Sequence, residues 1–115
     1  MDVNLSCIDI SMDDLLRCSF GLSRLEVGVL KALLDEEGWT PVGKIASRMR
    51  RDRSVVQRGL SSLLAKKLIV REQANKPHGG YEYLYMASDK KAIKRSILGK
   101  SRAFCMMVNA QVSRW

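Results

Sequence analysis

The sequence predicts a mainly α-helical, α+β fold: a single domain over residues 1 to 115 with one small β-hairpin. Three patterns support this. Apolar residues recur at three- and four-residue spacing through most of the chain up to residue 67, which is the period of a buried helix face. Residues 68 to 86 look instead like two short strands separated by a turn. A helical pattern then returns and continues to residue 115.

Two helices are expected before residue 40. The first covers about residues 11 to 18. Ser23 and Glu26 have the spacing of a capping box that opens the second helix, and Gly38 is expected just past its end as a C-cap. Trp39 is then expected to fill space in the core. The apolar residues are Met12, Leu15 and Leu16 in the first helix and Leu25, Val29, Ala32 and Leu33 in the second.

Residues 40 to 64 are predicted to form two short helices joined by a tight basic turn. Thr40 is expected to cap the first of them, with Pro41 at its first position, where a missing N–H costs nothing. The second helix runs from about residue 52 to residue 66. The expected buried residues are Val42, Ile45, Ala46 and Met49 in the first helix and Val56, Leu60, Leu63 and Leu64 in the second.

The other face of the helix at 52–66 carries side chains that can reach base edges or phosphates. They are Arg53, Ser54, Gln57, Arg58 and Ser61. No carboxylate lies between Arg53 and Lys66, whereas ordinary surface helices favour Glu and Lys pairs. This favours insertion of the helix into the DNA major groove over a merely basic solvated helix. We expect Arg53 and Arg58 to contact bases or phosphates and Gln57 to read adenine. The residues expected to hold phosphates are Lys44, Arg50 and Arg51.

The positive charge is unevenly distributed along the chain. The formal net charge is +8, and residues 1–43 hold 8 acidic and 3 basic residues. Residues 44–72 hold 2 acidic and 9 basic residues, and residues 73–115 hold 2 and 8. The positive field therefore begins with the predicted helix pair, which suits a polyanionic partner.

A β-hairpin is predicted directly after the helix pair. Its strands cover about residues 68–74 and 81–86, and a hairpin in this position is a wing, here about residues 69–86. Lys76 and His78 lie at its tip, where they can contact phosphates or the minor groove. The three tyrosines of the second strand lie on one face of it. We favour packing of this face against the body of the domain; the alternative is that the tyrosine rings stack on the bases of single-stranded nucleic acid. The three tyrosines are Tyr81, Tyr83 and Tyr85.

A last helix is expected from about residue 89 to residue 115, capped by Ser88 and Asp89. Gly99 argues against one unbroken helix, because glycine has a low helix propensity. Its apolar stripe either folds back on residues 11–37 or pairs with the same helix of a second chain. About 25 residues exceed what this small body can cover, so we favour a homodimer. The predicted dimerisation residues are Ile93, Ile97, Phe104, Val108, Val112 and Trp115.

Cysteine and histidine usage favours a protein without metal, cofactor or catalytic function. Cys7, Cys18 and Cys105 are scattered and lack CxxC spacing, which argues against a disulfide framework or zinc site, although Cys105 could sense oxidation. There is one His, no glycine-rich phosphate loop and no nucleophile with a nearby base. The absence of a targeting segment or apolar membrane span predicts a cytoplasmic protein, and binding to DNA would make it nucleoid-associated.

Several segments resemble a winged helix-turn-helix transcriptional regulator. The likeness covers about residues 20–87 and is to small, mainly archaeal, single-domain regulators grouped with the TrmB family and near MarR. Asp-Arg-Ser at 52–54 and Gly-Gly-Tyr at 79–81 are the most specific parts. The matching segments are residues 22–34, 44–46, 52–63, 66–71 and 79–85.

The resemblance implies a winged helix-turn-helix fold, to which the predicted last helix adds a C-terminal dimerisation helix. It also implies sequence-specific binding of duplex DNA, usually by a homodimer on a palindromic operator, and control of transcription initiation through the transcription machinery. By the match, Ser54, Gln57, Arg58 and Ser61 face the major groove. Larger TrmB-type proteins carry a sugar-binding domain and MarR-type proteins a pocket for phenolic ligands. Neither is marked in this sequence, so the small-molecule effector stays open.

Three other functions remain as alternatives. A winged helix can serve as a protein-interaction module, but the arginines and glutamine of residues 52–66 disfavour this because such a face needs apolar anchors. An RNA-binding module would use exposed tyrosines of the wing and prefer single strands. A nonspecific, chromatin-like DNA binder would bind all duplexes alike.

Overall fold

The computed structural model describes residues 10–115. Within them it has the predicted α+β architecture, with five helices and a three-stranded antiparallel sheet in the order β1-β3-β2. The elements are α1 (Met12–Phe20), α2 (Arg24–Leu34), β1 (Thr40–Pro41), α3 (Val42–Met49), α4 (Arg53–Ala65), β2 (Ile69–Asn75), β3 (Tyr81–Ala87) and α5 (Lys90–Arg114).

Local hydrogen bonds explain where the first two helices begin. Ser23 and Glu26 form the predicted capping box at the start of α2, and Ser11 and Asp14 form a second one at the start of α1. Gly21 ends α1 in the left-handed conformation, with φ of 65°. Helix α1 therefore extends two residues beyond the predicted end at Cys18.

The segment between α2 and α3 differs from the prediction. Helix α2 ends at Leu34 with Asp35 as its cap, so Gly38 is not the C-cap. Thr40 and Pro41 do not open a helix, because their backbone pairs with β3 and makes Pro41 the residue before α3. Thr40 points into the protein, and its neighbour Trp39 consequently points out and is 41% exposed rather than buried in the core.

The core lies where α2, α3 and α4 pack on one another and on the sheet. The predicted stripe of α4 is confirmed, since Val56, Leu60 and Leu63 are fully buried and Leu64 is half-buried. Ile45 and Ala46 of α3 are buried, with Val42 and Met49 packed at the edge. The close crossing of α2 and α4 occurs at Gly59, where a Cβ would lie 3.4 Å from Val29 Cγ2. The prediction for Met12 was wrong, because its side chain is exposed.

Helix α5 passes through Gly99 without a break and leaves the body of the protein. Ile93 and Ile97 are buried, and Lys100 Nζ lies 4.5 Å from the centre of the Phe20 ring on α1. All residues from Leu98 onward are exposed. The projecting half of α5 gives the molecule its elongated outline of 66 × 24 × 23 Å.

Candidate nucleic-acid interface

Helix α4 separates its side chains into a buried apolar face and an exposed polar one. Opposite the buried stripe, Arg53, Ser54, Arg58 and Ser61 are all exposed. Ser61 Oγ donates a 3.0 Å hydrogen bond to the main-chain carbonyl of Gln57, one turn earlier. The exposed face thus combines guanidinium and hydroxyl groups, which can bind phosphates or base edges.

Gln57 is the exception on this face because it is half-buried. Its Nε2 donates a 2.9 Å hydrogen bond to the hydroxyl of Tyr85 in strand β3. The side chain of Gln57 is therefore less exposed than the sequence predicted, and its amide is engaged by the sheet. Sequence periodicity placed Gln57 beside the exposed residues correctly, but it carried no signal for the approach of Tyr85 from the sheet.

The turn between α3 and α4 supplies exposed positive charge. Arg50 and Arg51 are both exposed, and Arg50 ends α3 in the left-handed conformation with φ of 55°. Arg53 lies back across the start of α3, where its Cζ is 3.8 Å from the place that a Cβ on Gly43 would occupy. Three arginines are thus gathered around one tight turn.

The remaining predicted phosphate ligand of α3 is already paired. Lys44 Nζ lies 3.1 Å from Glu36 Oε2, and Arg48 bridges Glu36 and Asp35 at 3.1 and 3.0 Å. The hydrogen bond from Lys44, helped by Arg48, lowers the pKa of the Glu36 carboxyl despite the opposing effect of burial. Lys44 is exposed but shares its charge with this carboxylate, so Arg50 and Arg51 are the stronger candidates for phosphate contacts.

The hairpin of β2 and β3 carries its own polar surface. Lys76 and His78 are exposed at its tip, where Gly79 and Gly80 make the turn with φ of 95° and 78°. The neighbouring Tyr81 is 55% exposed. The tip therefore presents cationic and aromatic groups to solvent.

The tyrosine face of β3 divides along the strand. Tyr85 packs in the core, as the favoured alternative predicted, whereas Tyr83 is half-buried. The ring of Tyr83 meets that of Tyr81 edge-on at 5.5 Å between centroids, and the Arg71 guanidinium lies 4.0 Å from the Tyr83 centroid. The end of the face near the tip thus stays open to a partner.

The predicted dimerisation stripe is also divided. Ile93 and Ile97 belong to the core of their own chain, so assigning them to a dimer contact was wrong. The continuation of the same stripe is exposed on the projecting half of α5, with Phe104 at 64%. The other exposed members are Val108, Val112 and Trp115.

The cysteines and acidic groups do not gather into a metal site in residues 10–115. Cys18 and Cys105 are free and exposed, and Cys7 lies outside the described residues. Within the described range, no three His, Cys, Asp or Glu side chains come together in a way that could hold a metal ion. The helices described here include none long and apolar enough to cross a membrane.

The helix pair α3–α4, followed by the hairpin of β2 and β3, defines a protein of the winged helix-turn-helix class. The family described as sugar-specific transcriptional regulator TrmB matches residues 16–91, and the chain belongs to this family. The predicted resemblance to TrmB regulators is thereby confirmed. Because these proteins regulate transcription, the prediction that the chain is not an enzyme is confirmed as well.

A relative and several solved structures are similar to this chain. The Methanocaldococcus jannaschii protein MJ1503 is 37% identical over 95 residues, which cover 79% of this chain and 71% of that protein. A possible transcriptional regulator from Methanosarcina mazei Go1 superposes with a TM-score of 0.85 at 24% identity, covering 98% of this chain and 95% of the other.

Two further solved structures share the fold at lower similarity. The MarR family transcription regulator SP03579 has a TM-score of 0.55 at 18% identity, with 84% of this chain and 62% of the other covered. A mutant of MepR from S. aureus, bound to an oligodeoxyribonucleotide, has a TM-score of 0.57 at 19% identity, with 90% and 72% covered. These likenesses confirm the predicted winged-helix fold.

Proposed function

We propose that this protein is a sequence-specific regulator that binds duplex DNA, with α4 in the major groove and the hairpin of β2 and β3 as a wing on the backbone or minor groove. The observation that carries the proposal is that α4 has one buried apolar face and one exposed polar face. Its apolar stripe is buried, while Arg53, Ser54, Arg58 and Ser61 are exposed, and residues 53–65 include no carboxylate. A helix anchored in this way can enter a groove as a rigid element.

The groups around α4 suit the phosphates on either side of the groove. Arg50 and Arg51 lie at the turn before the helix, and Lys76 and His78 lie at the tip of the wing. Contacts from these groups would set the register of α4 without reading sequence, whereas Arg58 would read a base such as guanine. The winged-helix fold shared with the oligodeoxyribonucleotide-bound MepR mutant supports this mode of binding.

The proposed active form is a homodimer that pairs the projecting halves of α5. Beyond Lys100 every residue of this helix is exposed, and Phe104, Val108 and Val112 continue the apolar stripe of the buried Ile97. A second copy covers the stripe most simply, because an identical helix offers the same apolar surface. Two copies of α4 would then enter successive major grooves about 34 Å apart, on a palindromic operator.

Selection of bound duplexes from a random DNA pool tests the proposal. The selected duplexes are then compared with scrambled duplex and single-stranded RNA by fluorescence anisotropy over a range of salt concentrations. We expect an inverted repeat that binds roughly a thousandfold more tightly than scramble. Equal, steeply salt-dependent binding to all duplexes would indicate a nonspecific chromatin-like protein, and preference for single strands would point to Tyr81 and an RNA-binding module. Absence of nucleic-acid binding would favour a protein-interaction module.

The regulatory outcome and location follow from the same proposal. A dimer bound at an operator would exclude or recruit the transcription machinery, and it would act in the cytoplasm at the nucleoid. Chromatin immunoprecipitation with an antibody against the chain tests this. Recovery of DNA fragments that contain the selected repeat near promoters is the expected result, and recovery of DNA without enrichment of the repeat would contradict it.

A further inference from the structure

Tyr85 joins the sheet to the proposed recognition helix. It lies in the middle strand, with Thr40 of β1 on one side and Arg71 of β2 on the other, and it is only 1% exposed. A phenolic hydroxyl buried to this degree needs a hydrogen-bond partner, because an unpaired polar group is costly away from water. Gln57 Nε2 supplies that partner at 2.9 Å.

This bond has a particular place among the side-chain hydrogen bonds of residues 10–115. It is the one that connects α4 with the sheet. Gln57 is half-buried, whereas Arg53, Ser54, Arg58 and Ser61 beside it are exposed. A glutamine that reads adenine must present both its carbonyl oxygen and its amide N–H groups to the base edge. The amide of Gln57 instead donates its hydrogen bond to Tyr85, near the end of the hairpin that joins the core.

We infer that Gln57 is a positioning residue that fixes the wing relative to α4 through the Tyr85 hydroxyl, and that it does not read a base. The inference rests on the proposed binding of duplex DNA and assigns Gln57 a different role from its exposed neighbours. Arg58 and Ser61 contact the groove, while Gln57 holds the two DNA-contacting elements at a fixed angle.

The packing along the hairpin explains how one bond at its root can orient its tip. Tyr85, Tyr83 and Tyr81 lie on one face of β3, because side chains alternate along a strand. Tyr83 is held between Tyr81 and Arg71 by the edge-on ring contact and the guanidinium contact. These contacts and the ladder of β2 with β3 brace the hairpin as a unit. Loss of the Gln57–Tyr85 bond should free this unit to pivot, without moving the exposed side chains of α4.

Two variants remove the bond from opposite ends. Tyr85→Phe deletes the hydroxyl alone, and Gln57→Met keeps the length of the side chain but removes the amide. For each full-length variant we would measure affinity for the selected duplex and for every single base-pair substitution in it, the hydroxyl-radical footprint on the DNA backbone, and the Tm. If one variant fails to fold, the other still tests the bond.

Both variants should lose about three- to tenfold in affinity, equally for all duplexes, because the lost bond is of ordinary strength. Backbone protection flanking the site, under the wing, should disappear while protection around the major groove persists. The double variant should lose no more than either single one, since all three remove the same bond.

Three results would overturn the inference. A change of preference at a single base pair in Gln57→Met would show that Gln57 reads DNA. A lowered Tm with all protections weakened in proportion would show a role in stability alone, and unchanged affinity and footprint would show no role. A wild-type chain that binds no duplex would refute the proposed function and the inference together, whereas the first three results leave the proposed function intact.

Discussion

Ser62 Oγ donates a 2.6 Å hydrogen bond to Glu26 Oε2 and thereby joins α4 to the first turn of α2. The same carboxylate accepts hydrogen bonds from the Ser23 main-chain N–H at 3.2 Å and from Lys66 Nζ at 3.3 Å. Burial raises the pKa of Glu26, but the hydrogen bonds from Ser62, Ser23 and Lys66 outweigh it and lower the pKa from 4.5 to about 2. The helix that we propose to enter DNA is thus anchored by a charged carboxylate.

Because of this contact, the free energy of unfolding should depend on pH in the acid range. Because the folded-state pKa of Glu26 lies below its usual value, its contribution is complete above about pH 5 and is lost as the pH falls toward 2. Glu26→Gln should lower the free energy of unfolding at pH 7 by about 1–3 kcal/mol and flatten its decline below pH 5. Urea unfolding at a series of pH values measures both effects. Glu37→Gln, at an exposed carboxylate, is the control. Parallel pH profiles for wild type and Glu26→Gln would contradict the prediction.

Arg58 should contribute to sequence discrimination. Replacing it by Ala should cost about 1–3 kcal/mol on the selected duplex and relax preference at one base pair, if the guanidinium reads guanine. Anisotropy titrations with all single base-pair substitutions of the duplex test this. Arg24→Ala, which removes an exposed arginine from the start of α2, should leave the profile unchanged. Equal loss of affinity for selected and random DNA would mean that Arg58 binds phosphate.

A substitution at Arg50 can separate the effect of its charge on DNA binding from its effect on stability. Its left-handed backbone is strained for a residue with a side chain, so Arg50→Gly should stabilise the turn by roughly 1 kcal/mol while removing the charge. We expect a raised Tm together with weaker binding to every duplex, and a salt dependence of the binding constant that is smaller by about one charge. A variant that binds DNA as tightly as wild type, with an unchanged salt slope, would exclude a phosphate contact.

The projecting half of α5 gives a test of assembly with a matched control. Val108→Glu places a charge in the exposed apolar stripe and should convert a dimer to a monomer, because a buried unpaired charge is costly. Met106 is also exposed but lies on the opposite side of the helix, so Met106→Glu should leave the dimer intact. Sedimentation equilibrium distinguishes the two. A monomeric wild type, or dissociation by both substitutions, would contradict pairing through this stripe.

The parts of the fold with regular periodicity were predictable from the sequence. The buried residues of α4, the capping box of α2, the hairpin and the long last helix all follow local rules that act within a few residues. Strand β1 was missed because two residues carry no periodicity, and its existence depends on β3, more than 40 positions away in the sequence. Trp39 was misplaced for the same reason, since its direction follows from the pairing of Thr40.

The sequence by itself determined which side chains share a face, and hence that α4 has an apolar side and a basic polar one. Only the tertiary structure decided what each face meets. Gln57 and Ser61 are both polar residues on the same side of α4, yet the Tyr85 hydroxyl accepts a hydrogen bond from Gln57 and not from Ser61. Ile97 and Phe104 belong to one stripe of α5, but the body of the protein ends between them. Periodicity is a property of neighbouring residues in the chain, whereas the partner of a face is set by long-range packing.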